Sequence, residues 1–141
     1  MSHLARLSLL VVLSAGLVVP AFASPTPSPE LAELVETLAE EDAWDGARVG
    51  YAGVRTERRA AWERFATLAS VDELLSLATE HPRPGVRYGA VRALVDRGAD
   101  DKLPAWVMAD DATVMTCPGG CICDSDTVGA YLRRIRDSQA G

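Results

Sequence analysis

Residues 84–94 read Pro-Gly-Val-Arg-Tyr-Gly-Ala-Val-Arg-Ala-Leu, and this stretch decides the predicted fold. At the helical period, Val86 and Leu94 lie on one side of a helix, whereas Tyr88 and Val91 lie nearly opposite. A helix that is apolar over more than half of its circumference has to be covered on two sides. The stretch therefore predicts a helix in the interior of the domain.

Capping residues and apolar repeats predict further helices on both sides of this one. Leu31, Val35 and Leu38 recur at helical spacing after Ser28, a residue type that caps helices, with Pro29 at the first helical position. Later helices follow the candidate caps Thr56, Ser70, Asp100 or Asp101, and Asp124, Ser125 or Asp126. Most of the chain is thus assigned to helices.

Two stretches do not fit the helical pattern. Residues 45–54 contain Gly46, Gly50 and Gly53 but lack the spacing of a phosphate-binding loop, which predicts a flexible connection or the loose start of a helix. Residues 112–116 are rich in β-prone side chains and predict a short extended segment before a cysteine-containing loop.

Residues 71–98 resemble a HEAT-type repeat, in which a proline-containing turn joins two helices. The second helix carries the pattern Val-Arg-x-x-Ala-x-x-Ala-Leu, here Val86, Arg87, Ala90, Ala93 and Leu94. The preceding pair, residues 29–68, is similar to a degenerate copy. The resemblance implies units that stack, because one helix pair cannot bury its own apolar face. It also implies that Arg87 packs against a loop carboxylate, for which Asp100 and Asp101 are candidates.

We therefore predict an all-α fold, a short HEAT-like stack of helical hairpins with about five or six helices. A small cysteine-containing loop or extended segment precedes the last helix. The repeat domain occupies residues 30–141, because residues 24–29 alternate proline with serine or threonine and predict a stiff, extended linker.

Residues 1–23 have the layout of a secretory signal peptide. Arg6 gives a positive start, an apolar run extends from Leu7 to Val19, and small residues precede a cleavage site after Ala23. The apolar run is shorter than the roughly 20 residues that span a bilayer. We expect export to the periplasm or the outside of the cell, with no stable membrane insertion.

The charge of the chain restricts its partners. The formal net charge is −6, so phosphate backbones and anionic lipid surfaces repel the protein, and we expect no nucleic-acid partner. Stacked helical repeats present extended surfaces, so we expect a protein or peptide partner. The open ends of the stack, or a free cysteine, offer a route to self-association.

All three cysteines lie between residues 117 and 123. Closely spaced thiols in an exported protein tend to be oxidised, and Cys117 can pair with either Cys121 or Cys123. One thiol then stays free, buried or intermolecular. The alternatives are reduced thiols, redox activity, or a metal site in which His81 joins the three cysteines as a fourth soft ligand.

No sequence motif predicts catalysis or a cofactor. His81 is the single histidine after residue 23, and no Gly-x-Ser-x-Gly elbow accompanies it, so a Ser-His-Asp triad has little to build on. Adjacent carboxylates such as Asp110 and Asp111 point in different directions on a helix and do not by themselves form a catalytic dyad. We predict a non-enzymatic protein–protein interaction module, with a small thiol/disulfide or metal-binding protein as the alternative.

Overall fold

The computed structural model describes residues 26–140, which form five α-helices and a three-stranded sheet. The helices are α1 (Pro29–Ala39), α2 (Glu57–Leu68), α3 (Val71–Glu80), α4 (Pro84–Asp96) and α5 (Val128–Ala140). The strands are β1 (Ala43–Asp45), β2 (Thr113–Gly119) and β3 (Ile122–Thr127), and the short 3₁₀ helices Asp100–Lys102 and Ala105–Ala109 precede β2. The prediction of an all-α stack is wrong, because helices and a mixed sheet share the fold.

The predicted signal peptide lies outside the described residues. Within residues 26–140, none of the helices combines the length and the apolar character that crossing a bilayer requires. The predicted linker ends at α1, where Ser28 accepts a hydrogen bond from the Leu31 amide at 3.2 Å.

The sheet joins two distant parts of the chain in the order β1–β2–β3. β1 runs parallel to β2, with Ala43 opposite Met115, and β2 runs antiparallel to β3, with Thr113 opposite Thr127. Alternation along β2 buries Val114 completely in the core. The segment that was predicted to be a cysteine-containing loop is therefore a β-hairpin.

The turn of this hairpin explains part of the wrong prediction. Gly120 has a φ of +61°, and with Cys121 it forms a two-residue connection between the paired residues Gly119 and Ile122. A glycine at positive φ in a two-residue connection is typical of tight hairpins. Asp124 to Asp126, expected to cap the last helix, lie in β3, and Thr127 instead accepts a hydrogen bond from the Ala130 amide at 3.1 Å.

α4 is the interior helix, which confirms the prediction from residues 84–94. Val86 and Leu94 have no exposed surface, and Tyr88, on the opposite side, is only 2% exposed. α3 packs along α4, and α1, α2, α5, β1 and β2 also contact it. Burial on more than one side accounts for the apolar residues that surround the axis of this helix.

Two glycines allow other elements to approach α4 closely. A Cβ atom at Gly89 would lie 2.0 Å from the Trp62 ring, and one at Gly85 would lie 2.9 Å from the Cα atom of Asp42. Gly85 also donates a backbone hydrogen bond to the Asp42 carboxylate at 3.1 Å. Glycine is therefore required where α2 and the chain before β1 meet α4.

Gly89→Ala tests this close approach. The added methyl group overlaps the Trp62 ring, so we expect the free energy of unfolding to fall by about 1–3 kcal/mol in urea titrations followed by circular dichroism. Gly119→Ala is the control, because its Cβ would meet the Arg48 carbonyl oxygen at an ordinary 3.6 Å, and it should change stability by less than about 0.5 kcal/mol. Equal unfolding midpoints for the two variants would contradict this account of the packing.

Candidate functional site

An apolar groove lies between α1 and α3 and has a volume of about 460 Å³. Its apolar lining consists of Pro27, Leu31, Ala32, Val35 and Leu77. Leu31 is buried, whereas Val35 and Leu77 are half-buried and Pro27 and Ala32 are exposed. The groove therefore leaves apolar surface in water that neither helix covers.

Carboxylates border this groove. The rest of its lining consists of Glu36, Asp72, Glu73 and Ser76, without a lysine or an arginine. The Glu73 carboxylate accepts a hydrogen bond from the Ser70 amide at 2.7 Å, as part of a capping box. Glu36 and Asp72 are exposed, and neither forms an ion pair within residues 26–140. The groove thus combines an apolar floor with two uncompensated negative charges.

The β2–β3 hairpin contains a disulfide between Cys117 and Cys123, whose sulfur atoms are 2.10 Å apart, and Cys121 is free and exposed. This is one of the two pairings that the sequence left open. Thr116 lies opposite Asp124, and the Cα atoms of the bonded cysteines, the next residue along each strand toward the turn, are 4.1 Å apart. Cys117 is 5% exposed whereas Cys123 is exposed, so the two bonded residues differ in their access to water.

The structure does not bring His81 and the cysteines together as metal ligands. In the described part of the chain, no three side chains of the histidine, cysteine, aspartate and glutamate types are placed to hold a metal ion. His81 lies instead beside Arg87 and Asp110 in a shallow depression that Trp106 also lines. Burial lowers the pKa of His81, and the positive charge of Arg87 acts in the same direction.

Arg87 packs against a loop carboxylate, as the HEAT resemblance implies, but the partner is Asp110. Its Nε and Nη2 atoms donate to the two carboxylate oxygens at 2.7 and 3.1 Å, and Nη1 donates to the His81 carbonyl at 2.9 Å. The candidates Asp100 and Asp101 do not pair with it in the described residues. A two-point ion pair of this kind is directional, and here it ties α4 to the segment that enters β2.

A second arginine is enclosed by aromatic rings. The guanidinium carbon of Arg92 lies 3.8 Å from the ring centroid of Trp44, 4.6 Å from that of Tyr131 and 5.8 Å from that of Tyr88. Aromatic enclosures bind ligand cations in other proteins. Here the protein's own cation occupies the position between the rings, and the cluster links β1, α4 and α5.

No family model, curated protein or solved structure matches this chain. The geometry indicates two candidate sites, the α1/α3 groove and the cysteine hairpin. Sequence reasoning placed Leu31 and Val35 on an apolar helix face but missed the groove. Leu77 was the available signal, because it adds a further apolar residue to the segment that forms α3.

The buried Tyr88 hydroxyl gives a pH-dependent prediction. It donates to the Asp126 carboxylate at 3.0 Å, and burial raises the pKa of Tyr88 to about 12, against a smaller lowering by Arg92. The unfolded chain ionises first, near pH 10, so the stabilisation is complete below that pH and is lost as the pH rises toward about 12.

Unfolding in urea at a series of alkaline pH values measures this effect. Tyr88→Phe should flatten the loss of stability between about pH 10 and 12. Tyr131 provides an internal reference, because burial raises its pKa as well and it remains in both proteins. If the free energy of unfolding of Tyr88→Phe falls with pH in parallel with that of the wild type, the loss of stability does not come from Tyr88.

The disulfide should stabilise the fold through the short loop that it closes. In a Cys121→Ser background, replacing Cys117 and Cys123 with serine should lower the free energy of unfolding by about 2 kcal/mol, since the bonded residues are 6 apart in sequence. Cys121→Ser alone is the control and should leave the unfolding midpoint unchanged. An equally stable triple variant would show that the bond contributes nothing to stability.

Proposed function

We propose that this chain is an exported, non-enzymatic interaction module whose α1/α3 groove binds a basic amphipathic helix of a partner protein. The groove carries the proposal, because it combines exposed apolar surface with unpaired carboxylates at its border. The signal-peptide layout of residues 1–23 supports export.

The shape and lining of the groove favour a helix as the bound element. An amphipathic helix binds an apolar groove through side chains at positions i, i+3, i+4 and i+7. Val35 and Leu77 line the groove from α1 and α3 respectively and are half-buried in the free protein. A bound apolar face would remove this surface from water, which contributes about 25 cal/mol per Å² before the costs of association.

The charge of the groove favours a basic partner. Glu36 and Asp72 carry negative charge in a groove whose lining, within residues 26–140, has no lysine or arginine, and the formal net charge of the chain is −6. An acidic segment would meet repulsion from both carboxylates, whereas lysine or arginine beside the apolar face would pair with them.

The HEAT-type resemblance of residues 71–98 supports the same proposal. Here α3 and α4 form the two helices of that unit, and α3 contributes one wall of the groove. Helical pairs of this kind commonly serve as rigid walls of binding surfaces for other proteins. The α3 wall packs along the interior helix α4, which holds it against the core.

Binding of two designed peptides tests the proposal. One is an amphipathic helix with a leucine face and lysine flanks, and the other replaces every lysine with glutamate. With the chain from Ser24 to Gly141, we expect the lysine peptide to bind in fluorescence anisotropy and the glutamate peptide not to bind. Glu36→Gln with Asp72→Gln should weaken binding about 2- to 30-fold, because each exposed ion pair contributes about 0.2–1 kcal/mol.

Val35→Gln in the groove should weaken binding further, whereas Leu68→Gln, at an exposed position on α2, is the matched control. Equal binding of both peptides, or no effect of Val35→Gln, would exclude the groove as their site. If the lysine peptide binds the chain from Ser24 but not the full chain, residues 1–23 occupy the groove instead. A dimer that forms with rising concentration and is lost in Val35→Gln would assign it to a second copy.

A further inference from the structure

We propose that the β2–β3 hairpin is a thiol–disulfide exchange site for extended peptide segments that carry two reduced cysteines, the first of which attacks the hairpin disulfide. This activity goes beyond the groove and does not depend on it. The hairpin combines a disulfide at an exposed residue, Cys123, with the exposed apolar residue Ile122 and an outer strand of the sheet.

The disulfide has one accessible and one protected end. Cys123 is exposed, whereas Cys117 is 5% exposed and lies beside Asp45 of the parallel strand β1. A thiolate attacks along the axis of a disulfide, so access decides which sulfur accepts it. The incoming thiolate therefore forms its bond with the Cys123 sulfur, and Cys117 leaves as a thiolate.

The exchange balances without any further reagent. The first step converts the partner's thiolate and the hairpin disulfide into a mixed disulfide at Cys123 and a Cys117 thiolate. A second thiolate of the partner then attacks the partner's own sulfur in the mixed bond and releases Cys123 as a thiolate. The partner leaves with a disulfide, and the two electrons it gave up remain on Cys117 and Cys123 as reduced sulfur.

The surroundings of the bond favour a peptide over a small thiol. The Gly50 amide donates to the Gly120 carbonyl at 2.5 Å, which joins the loop between β1 and α2 to the turn of the hairpin. This loop carries Tyr51, which is fully exposed, and Val54, which is 58% exposed, while Ile122 in the hairpin is 70% exposed. These side chains give two hydrogen-bonded segments exposed apolar surface that a peptide can contact and a small thiol cannot.

The sheet offers a second means of holding an extended chain. β3 is an outer strand, so its backbone pairs with β2 on one side only. Extended peptides bind free edges of this kind through main-chain hydrogen bonds, with side chains providing selectivity. Because Cys123 belongs to β3, a peptide paired with that edge would bring its cysteine beside the accessible sulfur.

Exchange with two thiol probes tests the proposal in the Cys121→Ser variant, which retains the disulfide and has no free thiol. One probe is β-mercaptoethanol, and the other is a short peptide with a single cysteine between leucine and tyrosine. Mixed disulfides are trapped with acid and mapped by mass spectrometry. We expect the probe on Cys123 at least about tenfold more often than on Cys117, and the peptide to react about tenfold faster at equal thiolate concentration.

Tyr51→Ser combined with Ile122→Ser should remove the advantage of the peptide and leave the rate with β-mercaptoethanol unchanged. Trp106→Ser, at an exposed aromatic residue that lines the shallow depression beside His81, is the matched control. Circular dichroism confirms that each variant is folded during the reaction. Labelling mainly on Cys117, equal rates for the two probes, or a peptide advantage that survives the double substitution would overturn the proposal.

Discussion

The close packing of α4 against its neighbours is the constraint on which the rest of the structure depends. Gly89 leaves room for the Trp62 ring, and Gly85 leaves room for the backbone at Asp42. A larger residue at either position would push α2 or the start of β1 away from the helix. Since interiors are packed at crystal-like density, such a shift cannot be absorbed locally. The positions of the groove and of the hairpin therefore both depend on how their elements pack against α4.

α4 also carries the polar contacts that connect it to the sheet. Arg87 pairs with Asp110 just before β2, and Tyr88 donates to Asp126 in β3. Partly buried charges lose hydration, so each contact stabilises the fold only because its geometry is well matched. These contacts are directional, unlike apolar packing. They explain how a short three-stranded sheet keeps a defined position against a helix whose buried residues are largely apolar.

Features of the fold were predictable from the sequence where the residues that indicate them lie within one element. The apolar circumference of α4 and the caps at Ser28, Thr56 and Ser70 are read within one helix, and all are confirmed. β1 has only three residues, and its partner β2 lies far along the chain. No local sequence pattern therefore predicts that they pair. The groove is also non-local, because it depends on the separation of α1 and α3 rather than on either helix alone.

The two proposed sites differ in the physical source of their selectivity. As proposed, the groove would select by charge and apolar area, so its binding should weaken when salt screens Glu36 and Asp72. The hairpin would select by access to one sulfur, which salt does not alter, and by nearby exposed apolar residues. Their lining residues do not overlap within the described chain. A partner that binds the groove therefore need not be the peptide that exchanges at Cys123, and a change at one site should leave the other intact.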